Sequence, residues 1–417
     1  MKNRYIFLSV FVLIFISCRS GPVFPAGIVE ERIESENRKT AAALQHYTVN
    51  FIAAGDNLFH ESVINSSLAG KEYDFSPIYT EIKSIVENAD LAFINQETVM
   101  AGASYGYSGY PAFNTPQSLA VTLAETGFDI FNLANNHAMD MGASGLIATL
   151  DFLDTIEGIT VIGARKEGDS ARIVTVNNIT FGFLAYAHSL NGIALPKNNP
   201  NLVSMNDKNK MQKEIEALRP LCDFLVVSMH WGDEYKLEPG KDQIDLAKFL
   251  AERNVDLIVG HHPHVLQRVE TLPRPDGKET ICYYSLGNFC SHQREKERLI
   301  GGMISLTFSK QEKKPENDEE KEYELSITGF GMIPVVTHYD RSYKNTKVYP
   351  LYSYTAELLE THGYKRSDPA FTMDFLYTVP ERLQTEIILK NPFLKETTEE
   401  PEKQEAQYEQ EGQATQN

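Results

Sequence analysis

The sequence predicts an α/β fold whose sheet is covered on both faces. Three observations carry that expectation. Short apolar runs ending in Gly, Asp or Asn alternate with stretches whose apolar residues recur at helical spacing. The runs are predominantly apolar, which suits strands buried on both sides. An apolar fraction of 42% over 417 residues supplies a substantial core.

Taken in order, the chain opens with Lys2 and Arg4, an unbroken run of apolar or small residues from Tyr5 to Ser17, and then Cys18. That run is short for a bilayer span but suits the hydrophobic region of an export signal. FISC resembles a bacterial lipobox, with Phe15 where Leu is usual. Residues 1–18 therefore read as a lipoprotein signal peptide with Cys18 as the lipidated residue; a plain signal peptide and an uncleaved anchor are the alternatives. Residues 19–46 are polar and read as a linker. Beyond them, the pattern predicts a strand at 47–56, a helix over 75–88, a strand at 90–97, a helix over 116–126, a strand at 129–136 and a helix over 143–156.

The middle of the chain changes style. Residues 171–187 read as two strands joined through Asn177-Asn178, a hairpin signal. A helix over 207–218, a strand at 223–232, a helix over 242–253 and a strand at 255–264 follow. RVETL, TICYYSL, GMISLTF and ELSITGF then predict a run of antiparallel strands, with the charged stretch KQEKKPENDEEKEYE as an exposed loop. The organisation expected is a domain over 47–344 and an extension over 345–395 of no clear period. Residues 396–417 read as a disordered acidic tail, with seven Glu against one Lys.

A formal net charge of −18 argues against a nucleic-acid partner. Cys222, Cys282 and Cys290 make neither a disulfide framework nor a CxxC metal motif and read as core thiols.

Polar residues with donor atoms fall just after predicted strands. Asp56 follows YTVNFIAAG; Asn95 and Glu97 end DLAFIN; Asn135, Asn136 and His137 end DIFNLA. His230 ends DFLVVSM, and His261, His262 and His264 end VDLIVG. Singly, each has an ordinary explanation: a turn or cap at Asp56, turn asparagines, a helix start at His137 and Asp140, a core His230, a turn fixed by Pro263. Loops at the carboxyl ends of strands converge, so five clusters at five such ends point to one shared site. Imidazole, carboxylate and amide oxygens without thiolate suit one or two Mn, Zn or Fe ions. His262 and His264, two apart on an extended segment, would share a face, with His261 pointing away to a supporting partner.

GDN (55–57), NQE (95–97), NNHAMDMG (135–142), HWGDEY (230–235), GHHPHV (260–265) and YSLGNF (284–289) together resemble the signature series of the CapA family of capsule and poly-γ-glutamate biosynthesis proteins. That family is a divergent relative of the calcineurin-like metallophosphoesterases, so the resemblance implies a four-layer α/β/β/α sandwich. It also implies metal-ligand roles for Asp56, Glu97, Asn136, His230, His262 and His264, with His137 protonating the leaving group. Glu234 and Asn288 would orient substrate or ligands, as would Asn95, Asn135, Asp140 and His261. The wider superfamily has a histidine two residues after the first aspartate; this chain has Leu58, with His60 further along.

The function implied is that of a membrane-tethered, extracytoplasmic protein that makes, exports or anchors an anionic surface polymer. It would act as a metal-dependent hydrolase on a phosphoester, with a phosphorylated precursor and synthase or export subunits as partners. Attack on an amide of the polymer is one alternative. A non-catalytic scaffold with a vestigial site is another, favoured by Leu58.

Overall fold

The computed structural model describes residues 44–167, 171–314 and 321–393. The expected signal peptide with Cys18, most of the linker, the core of the charged loop and the acidic tail lie outside them. Among the described residues no helix is long and apolar enough to cross a membrane.

In chain order the strands are β1 (His46–Asn57), β2 (Leu68–Ala69), β3 (Glu72–Tyr73), β4 (Leu91–Gln96), β5 (Ile130–Asn132), β6 (Thr160–Ile162), β7 (Arg172–Val176), β8 (Ile179–Ala187), β9 (Phe224–His230), β10 (Leu257–His261), β11 (Val269–Pro273), β12 (Glu279–Tyr283), β13 (Asn288–Cys290), β14 (Ile300–Glu312), β15 (Tyr323–His338), β16 (Lys347–Pro350) and β17 (Glu386–Ile387). Apart from the β2-β3 pair they form two large sheets, ordered β16-β15-β14-β1-β4-β5-β6, with β13 and β17 joined to β1 and β15 off that path, and β11-β12-β10-β9-β8-β7. The centre of each is parallel: β1 with β4, β4 with β5, β5 with β6, and likewise β8 with β9, β9 with β10, β10 with β12.

Alternation along the second sheet separates its two faces. Phe181, Phe183, Val226, Leu257, Val259 and Tyr283 share one core with Phe51, Ile304 and Phe308 of the first sheet. Leu184, Tyr186, Leu225, Val227, Met229 and Ile258 instead meet Met211 and Ile215 of the helix Lys208–Leu218 and Leu246 and Leu250 of the helix Lys241–Ala251. The helices Ser118–Thr126 and Gly142–Leu153 bury Leu119, Leu123, Leu146 and Leu150 against the first sheet. Crossovers between adjacent parallel strands keep one hand and so one side. The layers run helix, sheet, sheet, helix, as expected.

Several local expectations change. The single helix expected over 75–88 is two short ones, Ser76–Tyr79 and Lys83–Glu87. The strand expected at 129–136 stops at Asn132, because the side chain of Asn132 accepts the Ala134 N–H (2.9 Å) and turns the chain. The run of antiparallel strands holds for β11–β12 and β14–β15. β12 itself pairs parallel with β10, and the unforeseen β13 pairs parallel with the end of β1. The Asn177-Asn178 hairpin forms, both residues taking the positive φ that the tight turn needs (48° and 60°). β16 and β17, from the stretch without clear period, both pair with β15. Cys282 and Cys290 are buried, Cys222 is partly exposed, and all three are free thiols.

Candidate metal centre

The parallel strands of both sheets end at one edge, and the polar residues that follow them meet there. Asp56 lies at the end of β1, one residue after Gly55. A Cβ on Gly55 would sit 2.2 Å from the Gly287 carbonyl oxygen, so only glycine lets β1 approach that loop. The Asp56 N–H donates to the same oxygen (2.9 Å).

Asp56 is fully buried and heavily contacted. Asn95 Nδ2 donates to its Oδ1 (2.8 Å), and Asn132 Nδ2 donates to Asn95 Oδ1 in turn (2.8 Å). His264 Nδ1 lies 3.0 Å from Oδ2, His261 Nδ1 3.2 Å from Oδ1, and the His262 N–H 3.3 Å from Oδ2. Burial acts to raise this carboxyl, but His261 and His264 outweigh it and hold it well below its ordinary value.

Glu97, just past β4, is the opposite case. It is fully buried, and both its oxygens lack a hydrogen-bond partner. Burial, then the carboxylates of Asp56, Glu234 and Asp140, push it well above its ordinary value. It lies 3.6 Å from His230 Nε2 and 3.6 Å from His264 Nε2.

Donor atoms of Asp56, Glu97 and His264 lie within 4.8 Å of one another, as do those of Glu97, His230 and His262. Glu97 belongs to both clusters. Asn136 Oδ1 adds a donor 2.9 Å from His230 Nε2. Burial, then the charge of the neighbouring imidazoles, keeps His230 well below its ordinary value and His262 at about 3. Both rings are neutral near pH 7, the form that binds a cation. Nδ1 of each is buried without a partner. Buried unpaired polar atoms of this kind are costly unless something occupies the space between them. The donor set fits one or two divalent cations.

His137 stands beside the cluster. Its Nδ1 is 2.8 Å from Asp140 Oδ2, its ring meets Phe113 edge-on at 4.7 Å, and its N–H donates to Asn135 Oδ1 (3.1 Å). Asn135 Nδ2 donates to the Gln96 carbonyl (3.0 Å), tying this turn to β4. Asn288 pairs in register with Asp56 and donates to Gln293 Oε1 and the Arg298 carbonyl.

Two expectations about the histidine stretch are corrected. β10 ends at His261, and His262 and His264 are not extended: their φ angles are 97° and 57°. The turn brings both rings inward because the Tyr235 N–H holds the Pro263 carbonyl (2.8 Å) and Asp56 holds the His262 N–H. His261 does not point away; it faces Asp56 with its ring stacked on Phe93.

Sequence reasoning missed His188 and Asn191. His188 Nδ1 is 2.9 Å from the His230 carbonyl oxygen, and its ring is 4.5 Å from that of His262. Asn191 Oδ1 accepts from Asn136 Nδ2 (3.3 Å). Both follow the apolar run FGFLAYA of β8, the same strand-end signal that marked the others. His60 is half-buried at the edge of the site and belongs to neither cluster.

Residues 50–293, more than half of the chain, match the family described as bacterial capsule synthesis protein PGA_cap. A PGA biosynthesis protein CapA of Bacillus subtilis is 36% identical over 177 residues, 41% of this chain and 44% of that one. A capsule biosynthesis protein CapA of Bacillus anthracis is 34% identical over 176 residues, 40% of this chain and 41% of that one. The matched stretch thus spans less than half the length of either relative. Among solved structures, a 5'-nucleotidase precursor from Thermus thermophilus aligns loosely: TM-score 0.41, 17% identity, 67% of this chain and 54% of that chain.

Proposed function

Because the chain belongs to the bacterial capsule synthesis protein family PGA_cap, we propose that it serves the synthesis, export or anchoring of an anionic capsule-type polymer as a metal-dependent phosphoester hydrolase. One observation carries the catalytic part. Glu97 is buried between two donor clusters with neither carboxylate oxygen hydrogen-bonded. A buried carboxylate beside Asp56 is unfavourable unless positive charge lies against it.

Divalent cations held there, one or two of Mn, Zn or Fe, would polarise a phosphoryl oxygen and acidify a water. Asp56, Glu97 and His264 would hold one, and Glu97, Asn136, His230 and His262 the other. His137 acts as general acid: Asp140 occupies Nδ1 and steadies the imidazolium, leaving Nε2 for the leaving-group oxygen. Phe113, edge-on to that ring, fixes its plane. Asn95, Asn135 and Asn191 orient Asp56, His137 and Asn136.

Lipidation at Cys18 would tether the protein to the outer side of the cell membrane, among synthase or export subunits, with the polymer or a phosphorylated precursor as substrate. The names of the two Bacillus relatives support the capsule role. In the full chain, His264→Ala should lower bound transition metal by about tenfold or more and reduce aryl-phosphate hydrolysis with it, while circular dichroism is unchanged. Unaltered metal content would sink the ligand assignment. Leu58, buried where the wider superfamily has a ligand, favours a second reading, a scaffold with a vestigial site. Wild-type protein that takes up no transition metal and cleaves no phosphoester would favour it.

A further inference from the structure

The first donor cluster is short of ligands. Asp56, Glu97 and His264 make three donors, and Glu97 is shared with its neighbour. Transition metals with nitrogen and oxygen donors take at least four, of which a water supplies one in a catalytic site, and a Glu97 divided between two ions leaves the first with fewer than three protein donors of its own. Leu58 cannot contribute: it is apolar and buried, its N–H spent on the Cys290 carbonyl (2.9 Å). His60 does not replace it. Its ring stands edge-on to Phe113 at 5.5 Å, and it enters none of the donor clusters.

A third cluster supplies the candidate. Donor atoms of Glu234, His262 and His264 lie within 4.8 Å of one another. Glu234 is exposed, unlike the two histidines, and approaches their rings from the solvent side. Its backbone is held firmly. The next residue, Tyr235, has φ 65° and its N–H donates to the Pro263 carbonyl (2.8 Å), between the two histidines. Gln267 Nε2 donates to the Lys236 carbonyl (2.8 Å), and the Arg298 guanidinium covers the Tyr235 ring at 3.4 Å. The loop is thus clamped to the histidine turn, and the carboxylate, hydrogen-bonded to the Tyr235 phenol, is held within reach of a cation at the two rings. Nδ1 of buried His262 and both oxygens of Glu97, all without partners, call for positive charge beside it.

We propose that Glu234 is a direct metal ligand, the carboxylate from the β9 loop that supplies the donor Leu58 withholds. The inference rests on the metal-centre reading above. It makes the site two-metal despite the missing histidine, with its last ligand arriving from solvent on a clamped loop. A carboxylate there also leaves the first position more negative than an imidazole would, favouring harder cations such as Mn over Zn.

The test is cobalt uptake by the full chain, followed by the visible Co(II) absorption and by metal analysis after desalting. Wild type should bind two ions. Glu234→Gln, isosteric and unable to lend its charge, should keep its circular dichroism and one ion, with the second weakened about tenfold or more. Glu234→Asp should fall between. Two ions of unchanged affinity in Glu234→Gln would overturn the inference while leaving the metal centre standing. So would a single wild-type ion that Glu234→Gln leaves untouched, or loss of both ions with the fold intact. No ion in wild type would instead remove the metal-centre reading itself.

Discussion

Histidines dominate the chemistry at the scale of single residues, and those outside the metal cluster set how the protein responds to acid. His292 is lowered to about 3, and His338 and His362 to about 4, in each case chiefly by burial. Their partners are neutral: Ser62 and Thr346 for His292, Tyr354 for His338, the Thr337 carbonyl for His362. Burial outweighs the nearby Asp340 carboxylate, which favours the imidazolium at His292 and His338, and the Thr337 carbonyl, which favours it at His362. In the unfolded chain these rings take up protons below about pH 6.5; folded, they stay neutral down to about 3 to 4. The unfolded state therefore binds more protons through that window, and stability falls as pH drops through it. Glu97 and Asp129, both raised by burial when folded, work in the opposite sense but are two groups against three. Urea midpoints at about pH 7.5, 6 and 5 should decrease in that order, and a flat series would contradict the burial argument.

The element that matters most is β10 with its turn. Two non-glycine residues in the left-handed region, His262 and His264, each store strain on the order of 1 kcal/mol or more. The turn keeps that geometry because the Tyr235 N–H, the Asp56 carboxylate and the body of β10 all hold it. β10 itself is pressed against the segment after β12. A Cβ on Gly260 would fall 2.1 Å from the Tyr284 carbonyl oxygen and 2.6 Å from that of Tyr283. Both are backbone atoms and cannot swing aside. Gly260→Ala should therefore destabilise by roughly 1–3 kcal/mol or more and lower metal uptake together, because β10 aims the three histidines. Stability measured by urea, read beside metal content, checks both; a neutral substitution would mean the strands can part without cost.

At the scale of the molecule, the donors come from different sheets. Asp56, Glu97 and Asn136 stand at or just past the ends of strands of the first sheet; His230, His262 and His264 stand at or just past those of the second. Ligand spacing is thus set by how the two sheets pack. Phe308 lies in that contact, fully buried, with ring centroids 4.6 Å from Phe224, 4.9 Å from Phe181 and 5.6 Å from Phe51. Phe308→Ala should cost about 3–5 kcal/mol and weaken metal binding although it touches no ligand. Denaturant unfolding and cobalt titration measure the two effects, and intact affinity in the destabilised variant would show that the sheets hold register without this ring.

The Asn177-Asn178 hairpin, the helix at Lys208–Leu218 and the donor residues at strand ends were all legible in the sequence. Each is a local matter of turn conformation, capping or apolar period. His188 and Asn191 carried the same strand-end signal, although one histidine or asparagine after one strand does not stand out alone. Other features were settled only by long-range packing. These include the inward turn of His262 and His264, the facing of His261 onto Asp56, the parallel insertion of β13 beside β1 and the nearness of Glu234 to two histidines. The chain alone determined which residues carry donors and that they cluster at strand ends, because periodicity and residue type are properties of neighbours in sequence. Tertiary structure decided which donors lie close enough to share a cation and which stand aside, because that depends on two sheets brought into contact by apolar side chains far apart along the chain.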